Sequence, residues 1–323
     1  MTQPLVTIVT PSFNQASYLE QTIQSVLSQK YSSIEYFIMD GGSDDGSKSI
    51  IMKYKEKLAG WVSEPDGGQA DGINKGFARA SGSICGWINS DDYYLPGAIE
   101  SATNFLIKHP QVDLVYGDAI SIDGAGKMIN VMKFSPYSLE DLMTFRIICQ
   151  PAVFFRRKIW NESGGLNLTL RFLLDHELWL KMASKGKIAY FPQPWACARF
   201  YPEAKNRAYA SDFGEEAYRL AAWMVTDDKF KSQSVRMKNK IFGGAAWLDA
   251  HYLSESGQFA KSLHAYRKAM HLFPSRVWED RRRFLLTILA SINPQAAQKV
   301  FTKKSSKRLA DLQDYQKYLN VSK

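Results

Sequence analysis

The chain has 323 residues, 45% of them hydrophobic and 13% aromatic, which suffices for a packed core and for more than one average domain. No stretch approaches the ~20 uncharged apolar residues of a membrane-spanning helix, and residues 1–5 lack the basic and apolar regions of a signal peptide. Residues 1–228 carry 22 basic and 26 acidic side chains, whereas residues 229–323 carry 19 and 6. We therefore expect a cytoplasmic globular protein with a strongly basic carboxyl-terminal region.

The amino-terminal part of the chain alternates between strand and helix patterns. Leu5 to Thr10 is a β-branched run closed by Pro11, which is typical of a buried strand. Ser17 to Gln29 carries apolar residues at the spacing of a helix that packs one face on a sheet. Ile34 to Met39 is a second strand pattern. Strand, helix and strand in this order predict a βαβ unit with parallel strands.

The alternation continues beyond the first unit. The further predicted elements are a helix over Ser47 to Leu58, a strand over Gly60 to Ser63, a helix over Gln69 to Ala80 and a strand over Ile84 to Asn89. The predicted fold class is therefore α/β, with a mixed, mainly parallel sheet and flanking helices. In open sheets of this type, ligands bind beyond the carboxyl ends of the strands.

The pattern becomes helical from about Ala210. The spacing over residues 245–274 resembles one tetratricopeptide hairpin, and its residues are Trp247, Tyr252, Gly257, Ala260, Leu263, Tyr266, Ala269 and Pro274. A single repeat lacks neighbours that cover its faces, so we expect this hairpin to dock on the rest of the chain or on a partner. We predict an α/β domain over residues 1–209 and a helical region over residues 210–323.

Basic side chains cluster twice in the helical region, at Arg281 to Arg283 and over Lys299 to Arg308. Such clusters can meet nucleic acid, an anionic membrane surface or an acidic partner, and composition alone does not choose among them. The region lacks a nucleic-acid-binding motif and an interleaved aromatic platform, so we expect no nucleic acid as partner. Attachment to the anionic inner face of the cell membrane and a plain solvated helix surface are both left open.

The three cysteines, Cys85, Cys149 and Cys197, are far apart in the sequence and form no Cys-x-x-Cys pair. This spacing favours neither a disulfide framework nor a zinc site. We expect all three to be buried apolar thiols.

Polar clusters follow the predicted strands. They span Thr10 to Asn14, Asp40 to Ser47, Ser63 to Asp71, and Asn89 to Asp92. Each cluster alone is consistent with a turn or a helix cap, since Asp, Gly, Ser and Pro are favoured at both. Four clusters at the same edge of one sheet indicate a binding site instead.

Asp91 and Asp92 are adjacent carboxylates in the last of these clusters. Like charges at short range repel and raise each other's pKa unless a cation or a donor-rich ligand compensates. Oxygen ligands suit Mg²⁺ or Mn²⁺, which commonly bind one or two carboxylates together with substrate phosphates. The pair therefore predicts a metal site that accepts a diphosphate.

Four segments, Pro11 to Asn14, Asp40 to Ser47, Ser63 to Gly76 and Trp87 to Asp92, together resemble the family-2 glycosyltransferases of the GT-A fold. The resemblance covers residues 4 to about 200 in the expected order. It implies a Rossmann-like GT-A domain that transfers a sugar from a nucleotide-diphosphate sugar, most commonly a UDP-sugar, with inversion and with Mn²⁺ or Mg²⁺ as cofactor.

The resemblance also implies roles for individual residues. The implied donor-binding residues are Pro11, Ser12, Asn14, Asp40, Gly42, Asp66, Gln69, Asp71, Asn74, Lys75, Asn89 and Asp91. Asp92 is implied as the direct metal ligand, with Asp91 near the metal or the ribose. Many members carry a second acid directly after the position of Asp40, whereas this chain has Gly41. The details of base recognition therefore differ, and Asp44 is a candidate to compensate. For Lys75, an exposed helix lysine is the alternative.

A carboxylate near the acceptor is needed to remove the proton of the attacking hydroxyl. The segment Asp175 to Lys181 resembles the family segment with that role, and alignment on Leu178-Trp179-Leu180 places the base at Asp175. Glu177 is the second candidate, and His176 between them is interpreted as a spacer. The alternative for both acids is a helix amino terminus, where acids are favoured by the dipole.

Three further positions resemble family elements or lie near a predicted strand end. Gln150 and Gly165 match elements around the acceptor site, although both are consistent with loop geometry alone. Arg199 is a weak candidate for a contact with the diphosphate.

The expected function is transfer of a sugar to a saccharide or a lipid-linked saccharide, in the synthesis of a surface polysaccharide. The alternative is a protein that binds nucleotide sugars without turnover and recruits partners through its helices. The presence of Asp91, Asp92 and Asp175 argues for the enzyme.

Overall fold

The computed structural model describes residues 3–201 and 209–293 together with 315, 316 and 318. The chain divides into two compact units. The sheet unit comprises residues 1–136, 148–200 and 312–323, and the helical unit comprises residues 137–147 and 201–311. The basic stretch over residues 299–308 lies outside the described residues.

The sheet unit is built on one nine-stranded mixed sheet. Its strands are β1 (Val6–Ser12), β2 (Ile34–Asp40), β3 (Gly60–Ser63), β4 (Ile84–Trp87), β5 (Tyr93–Tyr94), β6 (Leu114–Ile122), β7 (Met128–Met132), β8 (Val153–Arg156) and β9 (Ile188–Arg199). The order is β3-β2-β1-β4-β8-β6-β9-β5, with β7 beside β6. The first four strands are parallel, as predicted. β8 then pairs antiparallel with β4 and β6, so the sheet is mixed.

The helices follow the predicted alternation and then dominate the second unit. They are α1 (Ala16–Leu27), α2 (Ser47–Tyr54), α3 (Gln69–Ala78), α4 (Ala98–Lys108), α5 (Leu139–Met143), α6 (Arg157–Ser163), α7 (Leu174–Lys185), α8 (Ala210–Thr226), α9 (Lys231–Glu255), α10 (Phe259–Leu272), α11 (Pro274–Glu279) and α12 (Arg281–Ile292). The helix predicted over Ser47 to Leu58 ends four residues early, at Tyr54, and gives way to a 3₁₀ turn over Lys55–Lys57.

Helix α3 approaches the sheet closely. A Cβ added at Gly76 would lie 2.5 Å from Cγ1 of Val9 in β1, which is shorter than any real contact. Glycine at this position therefore allows α3 to pack directly on β1. The close approach brings the amino terminus of α3 to the carboxyl ends of the parallel strands.

The helical unit is held together by small residues in the contact between α9 and α10. Ala246, Ala250, Ala265 and Ala269 are buried there around Tyr266. The predicted tetratricopeptide-like hairpin corresponds to these two helices, but α9 begins at Lys231, well before the predicted start at residue 245.

Helix α5 also packs in the helical unit, which the sequence did not indicate. Ser138 and Asp141 form a capping box that starts the helix. A Cβ at Gly244 in α9 would lie 2.4 Å from the carbonyl oxygen of Thr144. Arg146 then forms a 2.9 Å ion pair with Glu279. The segment 137–147 is therefore fixed to α9 and α11.

Two of the three cysteine predictions are confirmed, since Cys85 and Cys197 are buried. The prediction for Cys149 is wrong, because its thiol is only partly buried where it meets the candidate site. Among the helices of the described segments, none is long and apolar enough to cross a membrane.

A cavity of about 470 Å³ opens in the helical unit between α8, α9 and α10. Asp249 lines it, together with Tyr218 and Lys268. Burial raises the pKa of the Asp249 carboxyl to about 6, although the charge of Lys268 acts in the opposite direction. The folded helical unit therefore favours the neutral form of this acid.

Asp249→Asn should stabilise the protein at pH 7.5. The folded state binds the Asp249 proton more tightly than the unfolded chain does, so this group lowers stability as the pH rises from about 4 to about 6. Removing the charge should raise the free energy of unfolding by about 2 to 3 kcal/mol at pH 7.5, and by less toward pH 4. Urea unfolding at both pH values measures this. Asp228→Asn, at a fully solvated position, is the control, and an equal gain at both pH values would contradict the argument.

Candidate active site

The register of the parallel strands brings the predicted polar clusters to one edge of the sheet. Ser12 at the end of β1 pairs with Asp40 at the end of β2, and Asp40 pairs with Ser63 at the end of β3. Val9 pairs with Trp87, so the segment after β4 continues at the same edge. The four clusters therefore meet, as the sequence predicted.

Asp40 organises the segments that follow β2 and β3. Its carboxylate is buried and accepts three hydrogen bonds, from the backbone N–H of Ser43 at 3.0 Å, from Oγ of Ser43 at 2.5 Å and from Oγ of Ser63 at 2.8 Å. A buried carboxylate is stable when such donors replace water. Ser12 Oγ, also buried, lies nearby without a hydrogen-bond partner among the described residues.

The segments after β1 and β2 are joined by the side chain of Asn14. Asn14 adopts a left-handed backbone conformation with φ of 52°. Its Oδ1 accepts from the N–H of Asp44 at 3.1 Å, and its own N–H donates to Oγ of Ser43 at 2.8 Å. Asp45 accepts from the N–H of Ala16 at 2.8 Å, at the start of α1. Both Asn14 and Asp44 are thus used to shape the edge of the site.

The glycine at position 41 is explained by Asp66. A Cβ at Gly41 would lie 3.1 Å from Oδ1 of Asp66, and one at Gly72 would lie 3.2 Å from Oδ2. Asp66 Oδ1 also accepts the N–H of Gly68 at 2.7 Å. The space beside Asp40 that a second acid would enter is therefore occupied by a carboxylate from the segment after β3. Gly42, with φ of +83°, makes the turn between them.

The polar face of α3 divides into a charged part and a structural part. Asp71 and Lys75 form a 2.8 Å ion pair, which lowers the pKa of Asp71 and raises that of Lys75. Asp71 also accepts the N–H of Gly67 at 2.9 Å. Asn74 instead exchanges two hydrogen bonds with the backbone of Leu166, at 2.9 and 3.0 Å. Asn74 thus joins α3 to the segment before α7.

A chain of side-chain amides crosses the site. Gln69 donates to Oδ1 of Asn89 at 2.8 Å, and Asn89 donates to Oε1 of Gln150 at 3.2 Å. Gln150 in turn donates to the carbonyl oxygen of Trp87 at 2.7 Å. The amide groups of Asn89 and Gln150 thus each have a hydrogen-bond partner for the donor end and for the acceptor end. Asn89 Nδ2 also lies 3.4 Å from Oδ2 of Asp92, so the chain ends at the adjacent acids.

Asp91 and Asp92 differ in exposure. Asp91 is partly exposed, whereas the Asp92 carboxylate is buried and its Oδ1 accepts the N–H of Arg199 at 2.8 Å. Burial raises the pKa of Asp92 well above its usual range, and the neighbouring charge of Asp91 adds to the effect. Thr22 in α1 donates to the carbonyl oxygens of Ser90 and Asp92 at 3.0 and 2.6 Å, which holds this segment in place.

Arg199 does not extend into open solvent at the site. Its guanidinium donates to the carbonyl oxygen of Asp91 at 2.8 Å and to Oε1 of Gln21 at 2.7 Å, and it lies 4.4 Å from the ring centre of Tyr18. Its Nη1 also donates to the carbonyl oxygens of Asp123 and Gly124, each at 3.2 Å. Arg199 therefore clamps the segment that carries the two acids, rather than pointing toward a diphosphate.

Asp175 is positioned by aromatic packing. It lies in the first turn of α7, where Trp179 stacks on Trp87 of β4 at a centroid distance of 5.1 Å. Burial raises the pKa of the Cys149 thiol, and the charges of Asp92 and Asp175 raise it further. Both carboxylates are therefore close enough to Cys149 to act on it. The stack holds α7, which carries Asp175, against β4.

Glu177 is used differently. It is buried and forms a 2.9 Å ion pair with Lys181 one turn along α7, and Lys181 also donates to the carbonyl oxygen of Gly165 at 2.8 Å. The side chain of His176 is buried as well. The backbone N–H of His176 donates to Oδ1 of Asp175 at 2.7 Å. Gly165, with φ of +72°, makes the turn that brings its carbonyl to Lys181. Glu177 thus anchors α7.

The donor set at Asp91 and Asp92 fits a hard divalent cation that is completed by phosphate oxygens. No cluster of three or more acidic, histidine or cysteine side chains suited to a metal occurs within the described segments. A site of two adjacent carboxylates does not need such a cluster when the substrate supplies the remaining ligands. The raised pKa of Asp92 is consistent with a position where a cation would relieve repulsion.

Residues 7–164 match the sequence profile of glycosyl transferase family 2. This segment belongs to the family, and the sheet and helices of the chain form the GT-A fold that the sequence predicted.

Three similar proteins illustrate the relationship. Chondroitin synthase of Escherichia coli is 28% identical over 186 residues, which is 57% of this chain and 27% of that protein. Staphylococcus aureus TarS 1-349, crystallised with UDP-GlcNAc, superposes with a TM-score of 0.58 at 15% identity over 85% of this chain and 92% of that one. A Pyrobaculum calidifontis mannosyltransferase, in complex with GDP-Man and Mn²⁺, gives 0.53 at 17% identity over 100% and 85%. The chain spans less than half the length of the curated relatives first matched.

Asp40→Asn should destabilise the sheet unit. The substitution replaces one carboxylate oxygen by a donor that faces the N–H or hydroxyl donors of Ser43 and Ser63. A loss of about 1 to 3 kcal/mol in the free energy of unfolding is expected, measured by urea unfolding. Ser63→Ala, which removes one of the three bonds, should cost less. Asp44→Asn, at an exposed side chain, should leave stability unchanged. Equal stability of Asp40→Asn and the parent would show that the network does not support the fold.

Proposed function

We propose that this protein transfers a sugar from a nucleotide-diphosphate sugar to an acceptor hydroxyl, with inversion of the anomeric centre. The observation that carries the proposal is that the polar clusters after β1, β2, β3 and β4, which include Asp40 and Asp91, lie at one edge of the sheet of a chain that matches the family-2 profile. Structures of two proteins with the same fold contain UDP-GlcNAc and GDP-Man, respectively. A nucleotide sugar, with a UDP-sugar favoured, is therefore the proposed donor.

The proposed nucleotide pocket lies between the segments after β1, β2 and β3. Pro11 and Ser12 form its buried floor, and the hydrogen-bonded carboxylate of Asp40 forms its wall. Asp66 supplies the acid that position 41 lacks. The Asp71–Lys75 pair lies on the partly exposed face of α3, where Lys75 can turn from Asp71 toward an anionic phosphate.

Asp175 is the proposed base. A carboxylate that accepts the proton of the attacking hydroxyl allows the oxygen to displace the nucleoside diphosphate from the opposite face of the sugar, and one displacement inverts the anomeric carbon. Glu177 is the less suitable candidate, because its charge is already balanced by Lys181 in the interior of the unit. The Trp87–Trp179 stack keeps Asp175 at its position during the reaction.

Asp91, with Asp92 beside it, is the proposed holder of Mn²⁺ or Mg²⁺. The sequence favoured Asp92 as the direct ligand, but its burial and its bond to Arg199 lead us to assign the direct contact to Asp91. When bound, such a cation neutralises charge on the departing diphosphate. Asp92 and Arg199 then keep the acid-bearing segment in one conformation.

The proposed acceptor is a saccharide or a lipid-linked saccharide of a surface polysaccharide pathway. Similarity to a protein named chondroitin synthase supports a polysaccharide product. The basic carboxyl-terminal region would hold the enzyme at the anionic inner face of the membrane, close to a lipid-linked acceptor.

Asp175→Asn should abolish transfer without abolishing donor binding. With Mn²⁺, a panel of nucleotide sugars and saccharide acceptors, turnover should fall by about a hundredfold to ten-thousandfold because the proton acceptor is lost. Glu177→Gln, an equally conservative change in the same helix, is the matched control; it breaks the pair with Lys181 and should lower stability, but it should retain far more turnover than Asp175→Asn. Nucleoside diphosphate release measures turnover, calorimetry with UDP measures binding, and NMR of the product reports the anomeric configuration.

The results distinguish between the two candidate bases and between an enzyme and a non-catalytic binding protein. A reversed order of the two variants would make Glu177 the base, and retention at the anomeric carbon would exclude a single displacement. Donor binding without turnover by the parent protein, with acceptors present, would favour a non-catalytic nucleotide-sugar-binding protein. Absence of any donor binding would refute the proposed function.

Asp91→Asn should weaken Mn²⁺ binding more than Asp92→Asn does. The first variant loses the partly exposed ligand, with an expected loss of at least about tenfold in affinity. The second keeps an amide oxygen that can accept the N–H of Arg199 and removes a buried charge, so it should retain more Mn²⁺ than the first and should not lower the unfolding temperature. Electron paramagnetic resonance of Mn²⁺ in the presence of UDP, beside thermal unfolding, measures both effects. Loss of Mn²⁺ from Asp92→Asn at an unchanged unfolding temperature would return the direct contact to Asp92.

A further inference from the structure

Helix α12 of the helical unit packs with small and polar side chains. Thr287 and Ala290 are its buried residues, and the hydroxyl of Thr287 is hydrogen-bonded to that of Ser254 in α9 at 2.8 Å. Arg283 forms a 2.7 Å ion pair with Glu255 of the same helix. The inward face of α12 is thus made largely of groups that water would also accept.

Of the large apolar side chains of α12, Phe284 packs inward with its ring centre 5.1 Å from that of Tyr266, whereas two others are exposed to solvent. Leu285 is 61% exposed and Ile292 is 78% exposed. The two are two helical turns apart, and the half-buried Ile288 and Leu289 lie between them on the same side of the helix. Trp278 in the preceding helix α11 is 62% exposed. We call Trp278, Leu285, Ile288, Leu289 and Ile292 the apolar stripe.

The exposure of Leu285 and Ile292 departs from the usual amphipathic pattern, in which the large apolar residues pack inward. Of the ten large hydrophobic residues that are exposed in the described part of the chain, three belong to this stripe. Scattered apolar residues on a surface are ordinary, but a contiguous row of them on one helix marks an interaction surface.

Two cationic side chains flank the stripe. Arg281 and Arg282 are both exposed, and they lie four and three residues before Leu285, which places them beside it on the helix. An apolar row with a tryptophan at one end and arginines along its side has the chemistry of the boundary between lipid headgroups and acyl chains.

We propose that the apolar stripe is a docking surface for an anionic lipid bilayer. Leu285, Ile288, Leu289 and Ile292 enter the boundary of the acyl chains, Trp278 lies at the headgroup level, and Arg281 and Arg282 bind lipid phosphates. A second copy that docked through the same stripe would offer an apolar row flanked by the same two arginines, and so no negative charge from the stripe itself. An anionic bilayer offers an apolar interior for the leucine and isoleucine side chains and negative headgroups for the two arginines.

The docking proposal rests on the proposed function only for its purpose, which is access to a membrane-bound acceptor. Binding to vesicles is measured without catalysis. A parent protein that transfers sugar but does not bind vesicles would therefore refute the docking surface alone. A parent protein that binds vesicles but transfers no sugar would leave the docking surface in place.

Flotation of the full chain with vesicles tests the proposal. The parent protein should float with phosphatidylcholine vesicles that contain phosphatidylglycerol and should not float with phosphatidylcholine alone. Leu285→Ser/Ile292→Ser should weaken partitioning by about tenfold or more, because two apolar side chains no longer enter the bilayer. Arg281→Ser/Arg282→Ser should weaken it by about fivefold per residue.

Matched controls exist in the same unit. Val235 in α9 is 77% exposed, so Val235→Ser removes an equally accessible apolar side chain outside the stripe and should leave partitioning unchanged. Lys238→Ser/Arg267→Ser removes two exposed charges elsewhere and should have the smaller effect of the two charge pairs. Bromolipid quenching of tryptophan fluorescence should decrease in Trp278→Phe.

Three results would overturn the docking surface. They are a parent protein that does not float with anionic vesicles, a Leu285→Ser/Ile292→Ser variant that floats as well as the parent, and a parent dimer that the same variant converts to a monomer in light scattering. The last result would assign the stripe to a second copy of the chain. Because Leu285 and Ile292 are exposed, the variants should keep the parent's circular dichroism spectrum and unfolding temperature.

Discussion

The candidate site depends on the placement of a buried carboxylate, Asp92, next to a second acid. Removing Asp92 from water disfavours its charge, and Asp91 adds repulsion, so the segment would not keep this conformation without compensation. Backbone and guanidinium groups of Arg199 supply part of it, and Thr22 fixes the two carbonyl oxygens on the other side. A bound cation would offset the remaining repulsion between the two acids.

Much of the fold was predictable because its determinants are local. The β-branched run at β1, the helical spacing in α1 and the polar residues after each strand follow from chain periodicity, and parallel pairing then brings the strand ends together. The ends of elements were less predictable, as the early end of α2 at Tyr54 shows. Helix ends depend on a single turn and on the contacts available to it.

The contacts within the site were not predictable, since they join residues far apart in sequence. The Asn74 bonds to Leu166 span 92 residues, the Arg199 bond to Asp92 spans 107, and the Trp87–Trp179 stack is equally remote. The family resemblance suggested Asn74 as a donor contact, and a position near a predicted strand end suggested Arg199 as a contact of the diphosphate. The geometry uses both to connect structural elements. A polar residue in a segment that resembles a family motif can therefore hold the elements around a site together rather than contact the ligand.

The environment of Cys149 has a consequence for the chemistry of its sulfur. A thiol reacts with alkylating agents and oxidants as its thiolate. Burial and the nearby carboxylates of Asp92 and Asp175 raise the pKa of the Cys149 thiol and so disfavour its thiolate. The same carboxylates that would attract a cation thus lower the reactivity of the neighbouring thiol toward alkylating agents and oxidants.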